Sequence, residues 1–324
     1  MTRPGATAQH LVAWIRRQRA AISIIVALVC AVLVAGVLAR QDWGAIFATV
    51  RETPSGRLVS ASVLVALSFL ALSGYDFLAI RLAGHRVPGI GLVLRTSFVG
   101  TVMAMNFGFT VLSGSAVRAF YYGRAGIPPP GIARILAHMA VTFILGWLGL
   151  FGATLVFWPV AEHGARFGVP ECAQRLLGAL LLCLLLGYIG SAFARVRLRT
   201  GPLAWQFPAP QLALLQVAVS LVDACLAGWV VHHLLPAPAP AFLPFMGAFL
   251  TAVFLGMASQ VPGGLGVIEV TLLHLIGAGH PPAKVLASMV LYRLLNFVAP
   301  LGIASAILLH DLVRSKRRPV HEQS

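Results

Sequence analysis

Charge is what this sequence has least of. Of its 324 residues only 10% are Asp, Glu, Lys or Arg, where a soluble domain carries about 25%. Lysine is nearly missing: of 24 basic residues only Lys284 and Lys316 are Lys, and we attach no mechanism to the arginine bias. Cysteine is sparse. Cys30, Cys172, Cys183 and Cys225 are scattered, without CxxC or Cys/His spacing, and three lie inside apolar spans. That argues against a disulfide framework and a zinc site. No Walker phosphate-binding motif is present, so there is no built-in ATP hydrolysis. There is no nucleophile constellation and no closely spaced carboxylate pair for acid–base work, which argues against an enzyme. No cofactor is implied.

What the sequence has instead is apolar surface. It is 59% hydrophobic with a mean hydropathy of +0.88, the composition of a polytopic membrane protein. The net charge of +15 is not a nucleic-acid footprint, because the basic residues come in short clusters beside apolar spans.

The stretch Gly256–Ile276 organises the rest. It is apolar enough for a membrane, yet Pro262 lacks an amide hydrogen and clashes with the preceding turn. Gly263, Gly264 and Gly266 remove the side chains that hold one helix in register. The expectation is a half-helix, a break at Pro262–Gly266, and a second half-helix from Val267 to Ile276. Broken backbone at membrane depth is tolerated only where it is buried in protein or lines a cavity. The second half-helix points its positive N-terminus at that cavity, with Glu269 just inside it.

Apolar spans are expected at 20–39, 58–80, 135–158, 176–194, 211–235 and 286–309, each near the ~20 residues that cross a bilayer. The apolar run at 20–39 exceeds a cleavable signal and reads as a retained first helix. Two stretches, 92–123 and 241–277, are too long for one crossing and are broken in the middle. If both enter and return on one side, the clusters at the N-terminus, 81–95, 118–134, 195–199 and 311–324 share a face with 17 basic residues against six opposite. The positive-inside bias then makes both termini cytoplasmic. The fold class expected is an all-α polytopic membrane protein with about six full transmembrane helices and two re-entrant broken-helix hairpins in an inverted repeat. It comprises a basic N-terminus (1–19), one transmembrane domain (20–310) and a basic tail (311–324). The repeat units are roughly 57–158 and 206–309. An offset of 150 lays Leu136-Ala137-His138-Met139 on Leu286-Ala287-Ser288-Met289. The span before each hairpin carries one aspartate, Asp76 and Asp223. Inverted repeats with broken helices near the midplane are a transporter architecture.

The motif Pro262-Gly263-Gly264-Leu265-Gly266-Val267-Ile268-Glu269, followed by Leu291-Tyr292-Arg293, resembles the lysylphosphatidylglycerol synthase transmembrane region. That family comprises the flippase part of MprF-type proteins and the stand-alone YbhN-like and hopanoid-associated membrane proteins. The resemblance covers about residues 20–310. The first hairpin is similar too, through Asn106, Ser113-Gly114 and Arg118. There the family shows Pro-Gly-Arg-x-Gly-Glu before the arginine; this chain has Ser113 for the proline and Ala116 or Val117 where the glutamate would sit. In two-part members a soluble domain makes aminoacyl lipid and the membrane part moves it. About 14 residues follow the last span here, so the resemblance implies translocation without the transferase.

Glu269 and Arg293 are charges inside a bilayer, where an unpaired charge costs several kcal/mol. They line a headgroup path, or form an ion pair that locks the hairpin to the last span. Gly263, Gly264 and Gly266 bring backbone amides to a phosphate, or let helices approach closely; Gly114 belongs with them. Arg118 is a phosphate partner or a positive-inside charge. Asp76 and Asp223 relay protons or hold a counter-charge, Asp76 alternatively reaching the interface near Arg81. Asn106 caps a broken helix or touches ligand. His138, His232, His233 and His274 read as packing or interface residues, and Trp14, Trp43, Trp158 and Trp205 as interface belts.

The functional expectation is a bacterial inner-membrane lipid transporter of the flippase type. Its substrate is an anionic, aminoacylated or isoprenoid-type lipid. The alternatives are an integral-membrane lipid-modifying enzyme and a non-catalytic subunit whose partner is one.

Overall fold

The computed structural model describes residues 43–107, 110–159, 169–200, 203–276 and 281–316. The expected span at 20–39, Trp14 and the basic N-terminus lie outside the described residues. The remaining five expected crossings each coincide with a helix long and apolar enough to cross a bilayer: Ser55–Leu82, Pro129–Phe157, Glu171–Phe193, Pro210–Leu234 and Pro282–Arg314.

In chain order the elements are α1 (Trp43–Glu52), α2 (Ser55–Leu82), α3 (Ile90–Phe107) and α4 (Thr110–Arg124). α5 (Pro129–Gly146) runs through a π segment at Trp147–Phe151 into α6 (Gly152–Phe157), and α7 (Glu171–Phe193) follows. A two-stranded antiparallel ribbon, β1 (Arg197–Thr200) and β2 (Leu203–Gln206), leads to α8 (Pro210–Leu234). α9 (Phe242–Ala258), a 3-10 turn at Pro262–Gly264 and α10 (Val267–Ile276) come next. α11 (Pro282–Arg293) passes through a second π segment, Leu294–Val298, into α12 (Ala299–Lys316). Both spans that follow a hairpin thus carry a π turn, a feature that accompanies functional sites.

The two expected hairpins are present as helix pairs. α3 and α4 pack side by side, as do α9 and α10. The second hairpin is built into the main core, in which α2 and α8 to α11 meet, with Val230, Phe245, Met246, Leu272 and Met289 almost fully buried. Lipid offers helices little hydrophobic reason to associate, so small residues and internal polar contacts carry much of the packing. A Cβ on Gly146 would sit 2.8 Å from the Ser220 backbone oxygen, so α5 and α8 meet nearly backbone to backbone. Beside that crossing Gln216 is fully buried. Its amide donates to Thr142 Oγ1 at 2.8 Å and its oxygen accepts the Tyr188 hydroxyl at 2.7 Å, which ties α5, α7 and α8 together.

Two features lie beyond the sequence expectation. The all-α reading holds for the bundle but omitted the β1–β2 ribbon, whose four-residue strands are too short to register in hydropathy. It also omitted α1, whose Ile46 is buried against Leu286 and Ala287 of α11 while Trp43 and Phe47 stay exposed.

Candidate functional site

The break in the second hairpin falls where proline and glycine require it. α9 ends at Ala258 and helix resumes at Val267. Between them Gln260, Gly263, Gly264 and Gly266 all adopt positive φ, at 57°, 61°, 60° and 76°. For three of these four residues glycine makes that conformation inexpensive. Gly264 also has no room for a side chain, since a Cβ there would lie 2.9 Å from Ile268 Cδ1. The break packs on the end of α3, with the Met105 carbonyl 3.5 Å from the position a Gly263 Cβ would take.

Arg293, at the end of α11, reaches into this break. Its Nε donates to Glu269 Oε1 at 2.7 Å and its Nη1 to the Gly263 carbonyl at 2.5 Å. The guanidinium carbon lies 4.7 Å from the centroid of the Phe297 ring. Both charged side chains are 12% exposed. The sequence expectation that these two meet is met. The expectation for the glycine amides is corrected at Gly264, whose N–H is taken by the Val261 carbonyl at 2.8 Å. The backbone group turned toward the arginine is instead the Gly263 carbonyl, an acceptor. Two atoms remain over: Glu269 Oε2 and Arg293 Nη2 are buried with no hydrogen-bond partner. A buried polar atom in that condition costs about 1–3 kcal/mol and calls for water or a ligand.

A second charge centre lies in the first hairpin. Arg118 on α4 forms a two-pronged pair with Asp76 on α2, Nε to Oδ1 and Nη2 to Oδ2 both at 2.9 Å. Tyr122 adds its hydroxyl to Oδ1 at 2.7 Å. Asp76 is fully buried and Arg118 nearly so. Arg118 is therefore neither a free phosphate partner nor an interface charge, and Asp76 does not reach the interface near Arg81. One of the 17 basic residues counted for orientation thus belongs inside the bundle, leaving 16 against six. Gly114 serves packing here: a Cβ on it would lie 3.0 Å from both Ala104 Cβ and the Gly100 carbonyl. A Cβ on Gly100 would lie 2.8 Å from the Arg118 guanidinium.

The other sequence candidates are dispersed. Asp223 on α8 accepts the Tyr75 hydroxyl at 2.9 Å and, among the described residues, pairs with no arginine. Asn106 donates to the Val102 carbonyl at 2.9 Å, closing the last turn of α3. Sequence reasoning missed Tyr75, Tyr122 and Phe297. The signals were there: Tyr75 adjoins Asp76, and Tyr122 and Phe297 each stand four residues after an arginine, on the same helical face.

No protein-family model matches the chain. Among similar proteins, an uncharacterized protein of Synechocystis sp. is 31% identical over 281 residues, covering 83% of each chain. The inner membrane protein YbhN of Escherichia coli is 28% identical over 271 residues, covering 82% of this chain and 83% of that one. The phosphatidylglycerol lysyltransferase of Staphylococcus aureus is 26% identical over 240 residues, covering 73% of this chain and 27% of the enzyme.

Proposed function

Since this chain belongs to the lysylphosphatidylglycerol synthase transmembrane-region family, with its YbhN-like members, we propose that it moves a phospholipid across the bacterial inner membrane, through the break between its two hairpins. The observation that carries this reading is the incomplete ion pair. Arg293 Nη2 is a spare donor and Glu269 Oε2 a spare acceptor of one ion pair at a broken helix.

A donor beside an acceptor suits a headgroup that carries both signs. The guanidinium takes a phosphate oxygen and the carboxylate takes an ammonium. An aminoacylated phosphatidylglycerol has both groups, and the likeness to a phosphatidylglycerol lysyltransferase supports that class. The protein's task is to shelter this headgroup from hydrocarbon while the acyl tails stay in lipid. The fold offers a route: the break of the second hairpin abuts the end of α3 in the first. Alternating exposure follows if the hairpins open in turn to the two sides, as in inverted-repeat transporters. The 16-to-six basic asymmetry supports an orientation with the tail and the ends of α2, α4 and α7 in the cytoplasm. The π turns after both hairpins support the repeat.

The experiment is lipid translocation in proteoliposomes. The full chain is reconstituted with a trace of fluorescent phosphatidylglycerol or its lysyl derivative, and inner-leaflet label is followed by its accessibility to an external quencher. The wild type should expose both pools, with the lysyl derivative faster. Glu269→Gln with Arg293→Gln should stay folded and leave the inner pool protected. Translocation by that double variant at the wild-type rate would overturn the reading.

A further inference from the structure

A second polar feature lies far from the break. The start of α3 and the ends of α4 and α12 border an open cavity of about 390 Å³, within the range of small-molecule sites. Arg95, Tyr121, Arg124, Asp311 and Arg314 line it. Asp311 stands 18 residues beyond Arg293 along α11–α12, about 27 Å by the helical rise. One headgroup cannot occupy both places.

Within this cavity three guanidiniums face one carboxylate, and that carboxylate is already committed. Asp311 accepts the Tyr121 hydroxyl at 2.7 Å and Arg95 Nη1 on both oxygens, at 3.1 and 3.2 Å. Arg124 is held otherwise, its guanidinium carbon 5.3 Å from the Phe120 ring centroid. Among the described residues neither Arg124 nor Arg314 has a carboxylate partner. Leu92 and Phe120 supply an apolar wall beside the cations.

We propose that this cavity is a receiving site for the phosphate of an anionic phospholipid in the adjoining leaflet, separate from the Glu269–Arg293 centre. Guanidinium forks match phosphate oxygens. Basic pockets between helix ends at the membrane surface take phospholipid headgroups. Leu92 and Phe120 accommodate the glycerol and first acyl carbons. Asp311 fixes Arg95 and Tyr121 in place, and its own charge opposes the arriving phosphate and keeps the lipid exchangeable. The site requires a membrane setting but not transport, so it can fail or hold independently of the translocation reading.

The test is lipid binding by the detergent-solubilised full chain, measured by native mass spectrometry with phosphatidylglycerol and phosphatidylcholine. The paired change Arg124→Gln and Arg314→Gln should weaken phosphatidylglycerol binding about tenfold. The control pair Arg81→Gln and Arg134→Gln, exposed arginines outside the cavity, should stay within about twofold. Asp311→Asn keeps an acceptor for Tyr121 but removes the opposing charge, and should tighten binding about threefold. Equal weakening by the control pair would overturn the proposal in favour of a diffuse basic surface. Competition by sn-glycerol 3-phosphate as effective as by the lipid would overturn the lipid assignment in favour of a soluble phosphate compound. Should the double variant fail to fold, Asp311→Asn decides: binding no tighter than wild type overturns the site.

Discussion

Arg118 and Arg293 are both arginines shielded within the helix bundle and paired with a carboxylate, one at each hairpin, and they are satisfied to different degrees. Every guanidinium nitrogen of Arg118 has a partner: Asp76 twice, the Gly114 carbonyl and the Thr101 hydroxyl. Arg293 uses two nitrogens and leaves the third buried and unpartnered, as is one oxygen of Glu269. The backbone follows the same division. Arg118 sits within a regular helix, whereas Arg293 grips a segment in which four of the seven residues from Gln260 to Gly266 have positive φ. A completed buried pair braces a fold; an incomplete one at a broken helix leaves a donor and an acceptor that call for water or a ligand. The presence of an intramembrane charge therefore says less about function than the number of its valences left open.

The largest expected effect tests the brace. Arg118→Gln leaves Asp76 buried without its counter-charge, and should cost about 3–5 kcal/mol of stability, read as a fall in the detergent unfolding midpoint and in folded yield. Asp76→Asn added to it should recover most of that loss. A lone Arg118→Gln that keeps wild-type stability would break the comparison, because the first centre would then not be structural.

The second hairpin should respond in the opposite sense. Glu269→Gln alone should lower stability by about 1–3 kcal/mol, less than the loss at Arg118, while reducing translocation to background. A stability loss there equal to that of Arg118→Gln, with residual transport, would make both centres braces.

Similar in stability but milder on transport is the backbone effect. Gly264→Ala places a methyl 2.9 Å from Ile268 Cδ1 at φ 60°, and should cost about 1–3 kcal/mol and slow translocation. Gly302→Ala on α12 meets nothing within 4 Å and should leave both unchanged. Equal behaviour of the two variants would remove the break from the mechanism.

The last test leaves energetics untouched. In a cysteine-free background, Ala204→Cys and Ala239→Cys should label from opposite sides of the membrane, Ala204→Cys from the cytoplasm. Labelling of both from one side would sink the orientation on which the two-hairpin comparison rests.

Legibility in the sequence followed the range of the physics. The Pro262–Gly266 break was legible because a missing amide hydrogen and missing side chains act where they stand. The Glu269–Arg293 pairing was legible because the two lie on successive elements, 24 residues apart. The Asp76–Arg118 pair, 42 residues apart with α3 between them in the chain, was not. Each of its charges had a sufficient local explanation, as interface residue or cytoplasmic arginine. Tyr75 and Tyr122 were overlooked because a tyrosine in an apolar run reads as bulk until its hydroxyl finds a carboxylate. α1 escaped notice because a helix of 10 residues is too short for hydropathy to separate from a loop.

By itself the sequence determined that this chain lives in a membrane, where its described spans lie and where one of its hairpins must break. Hydropathy and backbone chemistry are local properties, and they act before anything packs. Only the tertiary structure decided which charges are closed and which remain open. Whether a guanidinium finds three partners or two depends on how nearly neighbouring helices approach, and at Gly100, Gly114 and Gly263 that approach is set by backbones from different parts of the chain.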